Sequence, residues 1–189
     1  MLWGVIQLVK YEKSIKSKLL GLIPGYGGYM KRENRRDTDR RVREKAMMFI
    51  DHAKDAADQL SGLLLQMDKR DGMPAAEKLR SSIDVVLHTV RTGEYGYAGF
   101  FDVEKVNHKK LEKLTEYDIR VIIKSKQFQK HAEELTDRGL SSPDDILKGI
   151  LDLQREVEVL KKDFERRKDI LSGVESIEEG VDYFDVRGV

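Results

Sequence analysis

The chain has no cysteine, which excludes a disulfide framework, thiol catalysis and thiolate zinc sites. Three prolines in 189 residues are too few for a sandwich or barrel with many turns. Neither charge is in excess: 35 Lys and Arg face 34 Asp and Glu, a net of +1. That balance argues against a globally basic nucleic-acid binder and against an acidic tail protein. Long apolar runs are missing too. Met1 to Val9 is apolar apart from Gln7, but Lys10 ends the run, far short of the ~20 residues a bilayer span needs. No basic region precedes it and no small-residue cleavage site follows, so it does not read as a secretory signal. The expected location is the cytoplasm.

What the chain does have is charge at 37% and apolar residues at 40%, arranged with a helical period. Val42, Ala46, Phe49, Ala53, Ala56, Leu60, Leu63 and Met67 recur at alternating spacings of four and three, as on a coiled-coil seam. Ile146, Ile150, Leu153, Val157, Leu160 and Phe164 do the same; Arg167 interrupts and Leu171 rejoins. Ala76, Leu79, Ile83, Val86 and Val90 make a shorter stripe. Leu111, Leu114, Val121, Phe128, Ala132 and Leu135 make another, with polar Asp118 and Ser125 at two of its seam positions. These stripes read as a hydrophobic core rather than a cofactor box.

Stops and caps have local causes. Asp71-Gly72 and Pro74 separate the first helix from the second, and Pro74 suits a first turn. Thr92-Gly93 and Arg138-Gly139 end the next two helices. Ser142, Pro143, Asp144 and Asp145 supply an N-cap, an N1 proline and early acids for the last. The expectation is an all-α, elongated antiparallel helical bundle with heptad seams, forming a single domain over residues 1–171. It includes an amphipathic helix over 1–23 and a long helix over 31–69 whose basic start projects beyond the core. An acidic, loosely ordered tail follows over 172–189. The short second helix leaves part of the long one uncovered, so the N-terminal helix, a second copy or a partner should fill that space.

Three segments are candidates for function. The first is the N-terminal helix, where Trp3 and Ile6 share a face beside Lys10 and Lys13; this suits a membrane surface and equally a helix docked on its own bundle, the preferred reading. The second runs from the Gly-Tyr turn, with Tyr26 and Tyr29, into Arg32, Arg35, Arg36, Arg40 and Arg43. Residues 1–45 carry twelve Lys and Arg against five Asp and Glu, and the rings could stack on bases while arginines hold phosphates. Against this, Asp37 with Arg41 and Asp39 with Arg43 are i,i+4 pairs that neutralise the field, as on a solvated helix face. The acidic tail could also fold back and mask the run. The third is the loop from Thr92 to Asp102, where Tyr95, Tyr97 and Phe100 could anchor a partner or plug the bundle end.

The string Ile23-Pro-Gly-Tyr-Gly-Gly-Tyr-Met-Lys-Arg-Glu-Asn-Arg-Arg-Asp37, with Tyr95-Gly-Tyr-Ala-Gly-Phe-Phe-Asp102 downstream, resembles a pattern in uncharacterised prokaryotic helical proteins. The resemblance adds weight to these two segments and implies no activity.

Enzyme readings find little support. His52, His88, His108 and His131 lie on separate segments, and no Glu-x-x-His pair of a di-iron bundle is present. The sequence therefore reads as a non-enzymatic interaction protein, without metal or cofactor, that meets a protein or nucleoprotein partner. Structured RNA or DNA binding through 31–45 is the alternative, membrane attachment through the N-terminal helix a further one, and a homo-oligomer is compatible with each.

Overall fold

The structure, a computed structural model, describes residues 17, 19–93, 107–137 and 142–172. Among these it contains helices and no strands. Residues 19–22 are helical and lead into a turn. A single 3-10 turn, Arg32–Asn34, then opens α1 (Arg35–Gln66), and a second, Arg70–Gly72, opens α2 (Met73–Thr92). α3 (His108–Asp137) and α4 (Pro143–Ser172) complete the order.

Most helix limits follow from the local signals. Pro74 sits in the first turn of α2, where its missing N–H costs nothing. Ser142 caps α4: its hydroxyl accepts from Asp145 N–H at 3.2 Å and meets the Asp145 carboxylate at 2.8 Å. The end of α1 has a different cause from the expected glycine. Asp68 takes a left-handed φ of 54°, and Lys69 N–H reaches back to Leu64 O at 2.9 Å, a Schellman-type stop. α1 therefore has 32 residues, about 48 Å at 1.5 Å per residue, and is shorter than the expected 31–69.

α1 packs against α2 and α3, and α4 packs against the same two, leaving α1 and α4 diagonal. Cross-helix pairs fix the running senses. Lys54–Asp84 and Asp58–Arg80 make α1 and α2 antiparallel. Asp118–Arg167, Lys124–Asp163 and His131–Glu156 do the same for α3 and α4. α1 and α3, however, run in the same sense: Asp39 and Asp118 share Arg167 at one level, and His52 meets Gln129 further along both helices. The expectation of antiparallel neighbours throughout holds for the two sequential pairs only.

The main buried cluster draws on all four helices and on Leu19, Ile23 and Tyr26. A smaller one gathers Tyr29, Leu111, Leu114, Ile170 and Leu171 at one end. Every position of the α2 stripe is buried, as are the seven apolar seam residues of α4. On α1, Leu64 replaces the expected Leu63 in the core, because a 3.6-residue period drifts off a strict heptad. The start of α1 does not project beyond the core: Arg35, Thr38, Asp39 and Arg43 are buried there. Residues 19–29, which include the last turn of the expected N-terminal helix, pack beside it; the rest of that helix lies outside the described residues.

Candidate functional site

The Gly-Tyr turn is held shut by the helix that follows it. Gly25 and Gly28 adopt φ of 78° and 70°, values that an L side chain resists. Three side chains from the start of α1 then reach back to its carbonyls. Arg41 Nη1 donates to Pro24 O at 3.1 Å, Thr38 Oγ1 to Gly28 O at 3.0 Å and Arg35 Nε to Tyr29 O at 2.9 Å. The reversal drives both rings inward, edge to face with centroids 6.5 Å apart.

There they meet a buried charged layer. Arg167 of α4 donates from Nε to Asp118 Oδ1 at 2.8 Å and from Nη2 to the Tyr29 hydroxyl at 3.0 Å. The same Nη2 lies 2.8 Å from Asp39 Oδ1, an ionic contact whose angle falls outside hydrogen-bond geometry. Asp39 Oδ2 accepts from Arg43 Nε at 2.9 Å, and the Tyr26 hydroxyl donates to Asp118 Oδ2 at 3.1 Å. Two arginines, two aspartates and two tyrosines thus tie α1, α3, α4 and the turn together, between the main core and the small end cluster.

Burial pushes the Asp118 carboxyl up to about 6, although Arg167 pulls the other way by charge and hydrogen bond. Burial also raises both phenols far above their ordinary range, with the Asp118 charge adding to it. Burial works against the Arg167 charge, but Tyr29, Asp118 and Asp39 around it keep the guanidinium protonated. All the hydrogen-bonding reach of this layer is turned inward, so its chemistry is to fix geometry.

The sequence candidates separate accordingly. Tyr26, Tyr29, Arg35 and Arg43 are buried, so the two rings present no face for a base to stack on. Arg32, Arg36 and Arg40 are exposed. The Asp37–Arg41 pair forms at 2.7 Å on the surface, and Asp37 also takes Arg40 at 2.7 Å; these two hydrogen bonds hold its carboxyl below the usual range. The Asp39–Arg43 pair forms in the interior rather than on a solvated face. Trp3, Ile6, Lys10 and Lys13, then Tyr95, Tyr97 and Phe100, and the tail from 173 all lie outside the described residues. Asp39, Asp118 and Arg167 were not among the candidates. Their signal was present: Asp118 and Arg167 occupy seam positions with opposite charge, and Asp39 continues the α1 spacing below Val42.

Around this layer the surface is basic. The halves of the three long helices that flank it, with the turn that leads into α1, residues 31–45, 108–124 and 161–172, hold eighteen Lys and Arg against ten Asp and Glu. The opposite halves, 46–66, 125–137 and 142–160, hold five against eleven. Lys31, Arg32, Arg36 and Arg40, with Lys109, Lys162, Arg166 and Lys168, are the exposed cations of the basic end. Among the described residues no three His, Asp or Glu converge as a cation site. No described helix is long and apolar enough to cross a membrane. Comparison with protein-family models, curated proteins and solved structures finds no match, so a functional reading rests on this geometry alone.

Proposed function

We propose that this chain is a non-enzymatic, cytoplasmic helical scaffold that receives an acidic protein or nucleoprotein partner at its basic end. The observation that carries the reading is the lengthwise charge separation, +8 on one half of the three long helices with the turn that leads into α1, and −6 on the other half. Such a field steers an oppositely charged partner toward one end and orients it before contact. The elongated shape and coiled-coil-like seams belong to the same proposal: buried positions recurring at fours and threes make a stiff rod. The charged layer fixes the rod's register at the end where the partner arrives.

A photo-crosslinking residue at Arg32, Lys109 or Lys168, with Asp144 and Glu158 as controls, tests this in cells. The expected result is one partner captured from the basic end and not from the controls, in a yield that falls with salt. Equal capture from both ends overturns the reading.

Nucleic acid is the second reading, favoured by the exposed run Lys31, Arg32, Arg36 and Arg40. The burial of Tyr26 and Tyr29 leaves it phosphate contacts without stacking. Its mark is a steep log–log fall of affinity for structured RNA with salt; a flat response removes it.

A further inference from the structure

The outward face of α1 carries its own charge gradient. Arg36 and Arg40 are exposed one turn apart near its start, and Asp51 and Asp55 are exposed one turn apart past its middle. At 100° per residue all four fall within about 100° of the helix circumference. Asp58, next along, takes Arg80 at 3.5 Å. Asp51 and Asp55 have no ion-pair partner among the described residues, and like charges at i,i+4 disfavour the helix that carries them. Between the two charged pairs Met48 is 39% exposed and Met47 is half-buried.

We propose that this face pairs with the same face of a second copy of the chain, antiparallel about a two-fold axis at the level of Lys45 and Ala46. The spacing selects that arrangement. Arg36 and Arg40 are four residues apart, as are Asp51 and Asp55. One antiparallel register therefore sets Arg40 opposite the partner's Asp51 and Arg36 opposite the partner's Asp55 together. The two-fold repeats both pairs, as an isologous interface requires. The same register sets Glu44 opposite the partner's Met47, within a turn of the axis. A parallel in-register alignment sets like charge against like. Asp37 already binds Arg40, but a guanidinium has five donors and serves two carboxylates at once. Exposed ion pairs contribute little singly, so the dimer is weak and depends on the four pairs acting together.

Sedimentation equilibrium of the full chain, from micromolar to millimolar concentration and at low and high salt, tests the proposal. The wild type is expected to dimerise at low salt and dissociate at high salt. Arg36→Glu with Arg40→Glu, and separately Asp51→Arg with Asp55→Arg, are each expected to weaken self-association ~10-fold or more, because like charges then face each other across the axis. Far-ultraviolet circular dichroism keeps folding in view. Mixing the two double variants is expected to restore a dimer, since the reversed signs now meet. A wild type that stays monomeric at millimolar concentration and low salt overturns the proposal. So does a dimer that survives in either folded variant, or a mixture that restores nothing. This inference goes beyond the basic-end reading, whose crosslinks at Lys109 and Lys168 lie on other helices.

Discussion

The two halves of the bundle solve the same packing problem with opposite chemistry. In the half that holds Leu60, Ile83, Ile150 and Leu160, the seam positions are apolar apart from Ser125 and carry no charge. Water exclusion dominates the packing there, at ~1.5–3 kcal/mol for each large side chain fully buried, with ion pairs such as Lys54–Asp84 outside the seam. In the other half the seam continues at the same spacing but is charged: Asp39 on α1, Asp118 on α3 and Arg167 on α4. An apolar seam tolerates a slip of one heptad, because leucine meets leucine again. A layer of one arginine between two aspartates and two tyrosines is satisfied in one register only. Taking these charges out of water costs several kcal/mol per ion, so the return is specificity more than stability. It is also the half that must accommodate the turn with its two left-handed glycines.

The sharpest way to break this contrast is to remove the shared cation. Arg167→Met leaves Asp118 buried without its counter-charge and deprives Asp39 of one of its two, and should destabilise by ~3–5 kcal/mol, read as the shift in urea unfolding midpoint. Adding Asp118→Leu should recover most of that loss, since a well-packed apolar substitute for a buried pair is near neutral. A double variant as unstable as the single one would show that the layer is not held by charge. In the apolar half the matching test is Leu160→Ala, expected to cost ~2–5 kcal/mol through lost burial and a cavity. There no second substitution of complementary charge can rescue it.

That contrast also sets how much was legible in advance. Apolar periodicity located all four helices, because burial of Val42, Ile83, Phe128 or Ile150 leaves a 3–4 pattern that survives in one dimension. It failed below Val42, where the same geometric track passes through Arg35 and Asp39. Hydrophobicity cannot mark a buried charge; only its partner can, and Arg167, the cation that Asp39 and Asp118 share, lies 128 and 49 residues from them on another helix. The local pairs Asp37–Arg41 and Asp39–Arg43 were readable from i,i+4 spacing, yet spacing does not say which of them faces water. The antiparallel sense of the two sequential pairs was readable, whereas the placing of α1 beside α3 in the same sense was not, because one-dimensional periodicity does not name a helix's neighbour.

A pH titration separates the halves with one isosteric substitution. Burial raises the Asp118 carboxyl from 3.8 to about 6. The native state therefore binds this proton more tightly than the unfolded state, and stability contributed by Asp118 rises as pH falls from above 6 toward 4. The full shift corresponds to roughly 3 kcal/mol at most. Asp118→Asn removes the titration, so the wild type should gain on the variant by ~2 kcal/mol between pH 7.5 and 4.5 in parallel urea melts. The apolar half has no buried carboxylate of this kind to contribute. A constant difference between the two proteins would mean that Asp118 keeps its ordinary acidity, with Arg167 offsetting all of the burial.

The smallest expected effects lie in the turns, and they have opposite signs at the two ends. Gly28 holds a φ of 70°, and open space surrounds the point where a Cβ would stand, so Gly28→Ala adds backbone strain and no clash. It should cost ~1 kcal/mol. At Gly25, with a φ of 78°, the added methyl would also stand 3.0 Å from the Arg41 guanidinium that donates to Pro24 O, so Gly25→Ala should cost somewhat more. At the other end of α1 the left-handed position is already filled by an L residue, Asp68, at a φ of 54°. Its side chain is solvent-exposed and holds only a surface contact with Arg70 at 3.3 Å, worth little. Asp68→Gly therefore relieves strain at a Schellman stop and should stabilise the protein by ~0.5–1 kcal/mol, seen as a small rise in the urea midpoint. Were Asp68→Gly destabilising instead, the cap would depend on the carboxylate rather than on backbone conformation, and the comparison with Gly25 and Gly28 would no longer hold.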